Sequence, residues 1–326
     1  MARNSAILVG DIGGTHARFA IVDVSGKPPW PIENRSDLDQ AFPTFAEAIT
    51  TYIERVGVAD VPSSAAIAVA GPVTAGSAQL TNRQWEISER SLGEIGFGRA
   101  LLINDFVALA YAVEVLSDDD ACPIGPNTAG LAGEPISILG AGTGFGVSCL
   151  ARNGDRVVPV ATEGGHIGFA PTNEEELAIW RCLWKEFGRV SIERVLSGPG
   201  LENIYRALQE LAGRQARARS AAQITADAIG GEADCVHALN LFCAIYGSVA
   251  GDFALAHGAR GGVYIAGGIA QKILAFLVHS DFRKRFESKG RLSPFVEAIP
   301  TNLILNADAA LLGAARAATA MQRFDH

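Results

Sequence analysis

Residues 6–10 form a short unbroken apolar run, Asp11-Ile12-Gly13-Gly14-Thr15 interrupts it, and residues 18–24 resume with alternating apolar and polar positions. That pattern predicts two strands joined in a hairpin with an Asp and two glycines at its tip. Phe42, Phe45, Ile49, Tyr52, Ile53 and Val56 then recur at helical spacing. Residues 65–70 read as a buried strand closed by Gly71-Pro72, and Ser91 to Glu94 has capping-box spacing near a short helix. Residues 101–103 read as another buried strand, followed by an apolar helix over 106–115. The first third therefore predicts strand, strand, helix, strand, helix, strand, helix.

Ser117 and the acidic run Asp118-Asp119-Asp120 end that helix, and the Pro/Gly/Asn-rich stretch 123–135 is the expected lobe boundary. Beyond it the opening device recurs in shape though not in letters: a strand over 136–139, a turn at Gly140-Ala141-Gly142-Thr143-Gly144, and a strand over 147–151. An internal duplication is the expectation. Helical segments follow over 174–187, 191–196, 201–211 and 235–256, then a buried strand over 262–266 and a last strand and helix over 301–305 and 309–321. Strands and helices mixed throughout predict α/β layers with a cleft between two lobes.

Composition narrows the function. In 326 residues, 48% hydrophobic and 19% charged, there is enough apolar material for a sizeable core. A net charge of −8 argues against general binding to nucleic acid or an anionic membrane, so an anionic substrate needs a local site. Five cysteines, odd in number and with no C-x-x-C pair, fit reduced cytoplasmic thiols. Gly10 and Asp11 break the N-terminal apolar run, which suits neither a signal peptide nor a membrane span. The expectation is a soluble cytoplasmic protein.

Candidate chemistry lies at the glycine runs. Glycines at 140, 142, 144 and 146 fit neither G-x-G-x-x-G nor G-x-x-x-x-G-K-[ST]. They suit a hairpin turn whose N–H groups, with the Thr143 hydroxyl, cradle a phosphate. Asp11-Ile12-Gly13-Gly14-Thr15 is the matching half, its carboxylate placed to hold Mg²⁺ through water; plain hairpin turns are the alternative for both. Gly267-Gly268, after a buried strand, either lets a flat ligand such as adenine approach the backbone or makes a tight strand-to-helix turn. Asn104-Asp105 follows the strand over 101–103, where α/β crevices bind ligands; Asp105 there accepts a proton from a hydroxyl, or caps the next helix.

Glu163-Gly164-Gly165-His166 has E-x-x-H spacing, but two internal glycines disfavour a helix, and the other five histidines are scattered. A flexible turn offering a carboxylate and an imidazole to sugar hydroxyls fits better than a metal site. Glu193 is a further hydroxyl acceptor or a first-turn dipole partner. Trp180 and Trp184 read as core, Arg214, Arg217 and Arg219 as a solvated face, and Glu174-Glu175-Glu176 as a helix start that needs no ligand.

Taken together these residues resemble the bacterial glucokinase family, within the hexokinase and actin-like ATPase group. The resemblance runs through Gly10-Asp11-Ile12-Gly13-Gly14-Thr15 with Arg18, Thr81-Asn82 with Trp85, Ile103-Asn104-Asp105-Phe106, and Gly140 to Gly146. It continues through Glu163 to His166, Glu193 to Gly200, Gly261 to Ile269, and Lys289-Gly290-Arg291. It implies a two-lobed actin-like ATPase (ribonuclease H-like) fold with duplicated hairpin-containing α/β cores and a central cleft. Residues 1–116 would form a small α/β lobe completed by a C-terminal helix over 307–326, and 117–306 a large one.

The implied activity is ATP- and Mg²⁺-dependent phosphorylation of D-glucose to glucose 6-phosphate, feeding glycolysis, by a protein commonly found as a homodimer. Residue by residue, the resemblance makes Asp105 the base on the 6-hydroxyl and Asn104, Asp105, Glu163, His166 and Glu193 the glucose ligands. Gly10, Asp11, Gly13, Gly14 and Thr15 would serve the first phosphate hairpin, Gly142, Thr143 and Gly144 the second, and Gly267 with Gly268 the adenosine, with Asp11 an indirect Mg²⁺ ligand. His16 stands where the family usually has Asn. The rivals are a kinase for another hexose, such as mannose, fructose or N-acetylglucosamine, and a non-catalytic sugar sensor. A sensor would be expected to carry a basic helix-turn-helix before the first hairpin, and ten residues precede Asp11.

Overall fold

A computed structural model describes residues 5–13, 16–38, 42–57, 61–80, 85–154, 156–215 and 217–322. The chain divides into two compact units, Met1–Ala121 with Asn306–His326, and Cys122–Leu305. Each is built on its own sheet.

In the first unit β1 (Ala6–Ile12) pairs antiparallel with β2 (Ala17–Asp23), which pairs with β3 (Ile32–Leu38). After α1 (Phe45–Val56), β4 (Ser64–Val69) returns parallel to β1. A small antiparallel pair, β5 (Ser77–Gln79) and β6 (Glu86–Ser88), leads to α2 (Glu89–Ile95), β7 (Arg99–Asn104) and α3 (Asp105–Ala112). The sheet order is β3-β2-β1-β4-β7.

Period two along β1 sends alternate side chains to two cores. Leu8 and Ile12 join Phe19, Phe45, Ile49 and Tyr52 on the α1 face. Ile7 and Val9 face the last helix, described below. With both faces covered, β1 reads as an apolar run. The edge strand β3, sequence IENRSDL, is mostly exposed and polar, so no hydrophobic pattern announced it. The capping box before α2 is Ser88 with Ser91, not Ser91 with Glu94: Ser91 is the third residue of the helix, and its N–H donates to Ser88 Oγ. Thr81 and Asn82 lie outside the described residues.

The second unit opens with β8 (Ala121–Pro123), β9 (Ile136–Ala141), β10 (Phe145–Asn153) and β11 (Arg156–Thr162). Four helices follow: α4 (Glu174–Phe187), α5 (Gly198–Leu211), α6 (Ala221–Ile229) and α7 (Ala233–His257). Then come β12 (Gly262–Ala266), α8 (Gly268–Lys272), α9 (Leu274–Leu277), α10 (Phe282–Glu287), α11 (Ser293–Glu297) and β13 (Thr301–Ile304). Finally α12 (Ala309–Gln322) belongs to the first unit.

The second sheet runs β11-β10-β9-β12-β13-β8. Its first five strands repeat the first sheet: an antiparallel three-strand meander, then two strands parallel to the central one. The duplication expected from two hairpins therefore extends over five strands of each sheet.

Several local expectations change. Residues 191–196 hold only a single 3₁₀ turn, Ile192–Arg194. Trp180 and Trp184 stack nearly parallel at 5.9 Å; Trp180 packs partly buried against the core, while Trp184 is 52% exposed. Glu176 is buried and does have a partner, the Arg285 guanidinium at 2.8 Å. Arg214 and Arg217 are exposed, as a solvated face implies, and Arg219 is half-buried; Arg214 pairs with Asp234, and Arg219 with Asp227 and Glu232. The five cysteines are unbridged, and burial pushes the Cys243 thiol up to about 12.

Among the described residues, α7 is the one helix long and apolar enough to cross a bilayer, and 83% of its apolar window is buried inside the protein. It is a core helix. Gly247 and Gly251 let α10 approach so closely that a Cβ at 247 would stand 1.9 Å from the Phe282 carbonyl oxygen.

Leu311, Leu312, Ala314 and Ala315 of α12 pack on Ile7, Val9, Ala20 and Ala66, covering the second face of the first sheet. A Cβ on Gly313 would lie 1.8 Å from the Ala108 carbonyl oxygen of α3. In an exposed helix Gly→Ala stabilises by about 1 kcal/mol; here overpacking reverses the sign. Gly313→Ala is expected to destabilise the protein by about 2 kcal/mol, read as a lowered urea midpoint.

Candidate active site

In the first unit, β1, β4 and β7 run parallel and in register, with Ile12 beside Val69 and Val69 beside Asn104. Asp11 and Asp105 therefore stand at the same carboxyl edge of the sheet, where α/β proteins bind ligands. Asp11 is opposite Arg18 across the hairpin, and the two form an ion pair. Arg18 also donates to the Ala307 carbonyl at 2.6 Å. Burial raises the Asp11 carboxyl above its ordinary range, and Arg18 opposes that rise. The Gly13 N–H donates to the His16 carbonyl at 2.9 Å. Gly14 and Thr15 lie outside the described residues. Gly10 is glycine for packing: a Cβ there would be 2.8 Å from Ile67 Cδ1.

The cap of α3 is Asn104, not Asp105. Asn104 Oδ1 accepts from the Phe106 and Val107 N–H groups, and its Nδ2 donates to the Gly71 carbonyl and to Asp105 Oδ1. Asp105 is thus the first residue of the helix, with Oδ1 fixed by Asn104 at 2.9 Å and by the Phe106 N–H at 3.0 Å. Burial, then the charge of Asp11, pushes its carboxyl up to about 7 against those hydrogen bonds.

In the second unit the turn Gly142-Thr143-Gly144 joins β9 to β10 and is held from several sides. The Gly142 N–H donates to the Gly144 carbonyl, and the Gly198 N–H at the start of α5 donates to the Gly142 carbonyl, each at 2.8 Å. The Ala141 N–H donates to the buried Tyr246 hydroxyl at 3.2 Å. The Phe145 N–H donates to Glu193 Oε2 at 2.9 Å. Gly267, at φ +90, would drive a Cβ to 2.4 Å from the Ala141 carbonyl oxygen. A Cβ at Gly142 or Gly268 would meet nothing within 4 Å, and neither has a positive φ, so no contact within the protein requires glycine there.

Glu163 precedes, and His166 ends, a 3₁₀ turn, Gly164–His166, in place of the flexible turn expected. Its glycines serve packing: Cβ atoms would stand 2.0 Å from the Phe145 carbonyl oxygen at 165 and 2.8 Å from the Phe253 ring at 164. Glu163 Oε2 and His166 Nε2 are 3.9 Å apart, and both side chains are exposed. The Ile192 N–H donates to the Ile167 carbonyl at 3.0 Å, tying this turn to the one bearing Glu193. The structure thus gathers Glu163, His166, Glu193 and the 142–144 turn around Phe145. Tyr246, a support for that turn, was invisible inside the apolar run of α7.

Among the described residues no group of three or more His, Cys, Asp or Glu side chains is arranged to hold a metal. The described residues offer no cage of their own. Mg²⁺ bound to nucleotide needs only one or two carboxylates, its other ligands being phosphate oxygens and water. Asp11, half-buried at the carboxyl edge of the sheet, fits that lesser role.

Folded Asp105 keeps its proton to about pH 7, whereas in the unfolded chain it is lost near pH 4. Between those values the folded state binds more protons, so this group lowers stability as pH rises. Asp105→Asn is expected to raise the melting temperature at pH 8 and to leave it nearly unchanged near pH 4. Scanning calorimetry at both pH values checks this, and a lower melting temperature at pH 8 would contradict it.

Comparison with known proteins agrees with this architecture. The family model described as Glucokinase matches residues 8–321. A glucokinase of Caulobacter sp. (strain K31) is 49% identical over 313 residues, covering 96% of this chain and 94% of the relative. One from Stenotrophomonas maltophilia (strain K279a) is 40% identical over 329 residues, covering 99% and 97%. The crystal structure of a glucokinase from an Antarctic psychrotroph superposes with a TM-score of 0.87 at 37% identity, covering 96% of this chain and 98% of that one. The fold is the two-lobed α/β fold of the actin-like kinases, with each sheet one copy of the duplicated core. A family match spanning nearly the whole chain, together with relatives this similar at full length, shows that the chain belongs to the glucokinase family.

Proposed function

We propose that this protein phosphorylates D-glucose at the 6-hydroxyl with ATP, and that Asp105 is the base. The observation that carries the assignment of the base is the Asp105 carboxyl, pushed up to about 7 at the carboxyl edge of parallel strands. Such a carboxylate is ionised for part of its population at neutral pH and basic enough to take a hydroxyl proton late, as the oxygen bonds to phosphorus. Asn104 and the Phe106 N–H hold Oδ1, so Oδ2 receives the proton. The transition state is loose, and positioning supplies most of the catalysis.

Glucose is bound by Asn104, Asp105, Glu163, His166 and Glu193, with Asn104 exchanging its Gly71 bond for a sugar hydroxyl. ATP phosphates lie on Gly10, Asp11, Gly13, Gly14 and Thr15 and on Gly142, Thr143 and Gly144, and the adenosine lies against Gly267 and Gly268. The open space at Gly142 and Gly268 supports backbone approach by a ligand at those two positions. Gly10 contributes by letting its strand pack. Asp11 would hold Mg²⁺ through water; bound there, the metal neutralises charge on the β and γ oxygens. Five unbridged cysteines support a reducing, cytoplasmic setting, and the resemblance carries a homodimer with it.

The test is Mg-ATP-dependent ADP formation across glucose, mannose, fructose, galactose and N-acetylglucosamine. Turnover is expected on glucose, with kcat/KM falling below a pH of about 7. Asp105→Asn should lower kcat by about 10² or more with glucose affinity nearly intact. Glu163→Gln should weaken glucose binding by calorimetry. Near-normal turnover in Asp105→Asn would remove the base assignment, and turnover on another sugar alone would move the substrate.

A further inference from the structure

Glu193 is 48 residues from Phe145 in sequence, yet its Oε2 accepts the Phe145 N–H at 2.9 Å, at the exit of the 142–144 turn. The same oxygen lies 2.5 Å from where a Cβ on Gly144 would stand. Gly144 has no positive φ, so φ strain does not require glycine there; a side chain at 144 would instead push aside the far end of Glu193. The segment bearing Glu193 is tied to the turn at a second point, the bond from the Gly198 N–H to the Gly142 carbonyl. Ser197 Oγ donates to the Glu193 carbonyl oxygen at 2.8 Å, fixing the short 3₁₀ turn from which Glu193 projects.

We propose that Glu193 is a positioning residue for nucleotide: its carboxylate, seated against Gly144 and bonded to the Phe145 N–H, holds the 142–144 turn in the shape that receives ATP phosphate, whether or not sugar is present. This rests on the proposed kinase reading and adds to the glucose-ligand role given to Glu193. A carboxylate accepts about four hydrogen bonds, so one oxygen can serve the turn while the group also serves a sugar hydroxyl. Without the carboxylate, the first N–H of β10 after the turn loses its partner, and of the two ties between the turn and this segment only the Gly198 bond to the Gly142 carbonyl is left. Glu193 thus links the two substrates: the side chain that reads glucose also shapes the phosphate turn.

The experiment is calorimetry of the full-length protein with Mg-AMPPNP in the absence of glucose. If Glu193 served glucose alone, Glu193→Ala would bind the analogue normally. Positioning instead predicts a loss of about tenfold, the worth of one hydrogen bond near 1.4 kcal/mol. Glu193→Gln keeps an acceptor of the same reach and should stay within about twofold of the parent. Gly144→Ala displaces the carboxylate and should also cost about tenfold. In the Glu193→Ala background, where nothing is left to displace, Gly144→Ala should cost no more than about twofold.

Parent-like affinity in Glu193→Ala overturns the proposal. So does an equal loss in Glu193→Gln, or a Gly144→Ala cost that is the same in both backgrounds. Should Glu193→Ala fail to fold, Gly144→Ala and Glu193→Gln still separate the outcomes. Failure of the kinase reading would show separately, as a parent protein with no turnover on any sugar.

Discussion

A carboxylate one residue beyond a parallel strand, at the first turn of a helix, must exchange its hydration for protein dipoles, and around Asp105 that exchange is incomplete. Two hydrogen bonds hold one oxygen, but burial and the nearby charge of Asp11 outweigh them, which is why the carboxyl is pushed up to about 7. Much of the first unit can be read as the means of keeping that group in place. The apolar β1, covered on both faces, fixes where Asp11 emerges. Arg18 holds Asp11 from across the hairpin and is itself anchored on the chain just before α12. Asn104 serves as helix cap and carboxylate clamp at once, so a single side chain sets both where α3 starts and how Asp105 points.

The two copies of the core solve the problem of a strand-end turn differently. In the first, an ion pair between Asp11 and Arg18 joins the two strands below the turn. In the second, the turn is uncharged and held by contacts from outside it: a tyrosine hydroxyl from α7, a glutamate from a 3₁₀ turn, an amide from α5 and the close backbone at Gly267. A hairpin of charged residues can carry a cation-associated carboxylate. An uncharged turn lined with N–H groups suits anionic oxygens, provided something else keeps it rigid.

What the sequence made legible follows from how local each signal is. The helix over 174–187 and the strand over 262–266 coincide with α4 and β12, because their periodicity and flanking turn residues lie within the element itself. The polar edge strand β3 and the short helices α8 to α11 carry no such pattern. Glycine was the hardest residue to read. Gly10, Gly165 and Gly267 fill tight contacts with Ile67, Phe145 and Ala141, while a Cβ at Gly142 or Gly268 would meet nothing. Only the folded backbone separates a glycine needed for packing from one that leaves room for something else. The candidate site residues were found by their motifs, but the bond between Glu193 and Phe145 joins two motifs and belongs to neither.

The placement of α12 also has a consequence for biosynthesis. The strands of the first sheet leave the ribosome early, but Ile7, Val9, Ala20 and Ala66 lack the cover of α12 until a helix encoded more than 240 residues after Ala66 is made. At roughly 5–20 residues per second that delay is on the order of twelve to fifty seconds. The second unit, contiguous in sequence, is free to fold during that time. The nascent first sheet must wait with one apolar face open, so this stretch is the part of the chain most exposed to aggregation during synthesis.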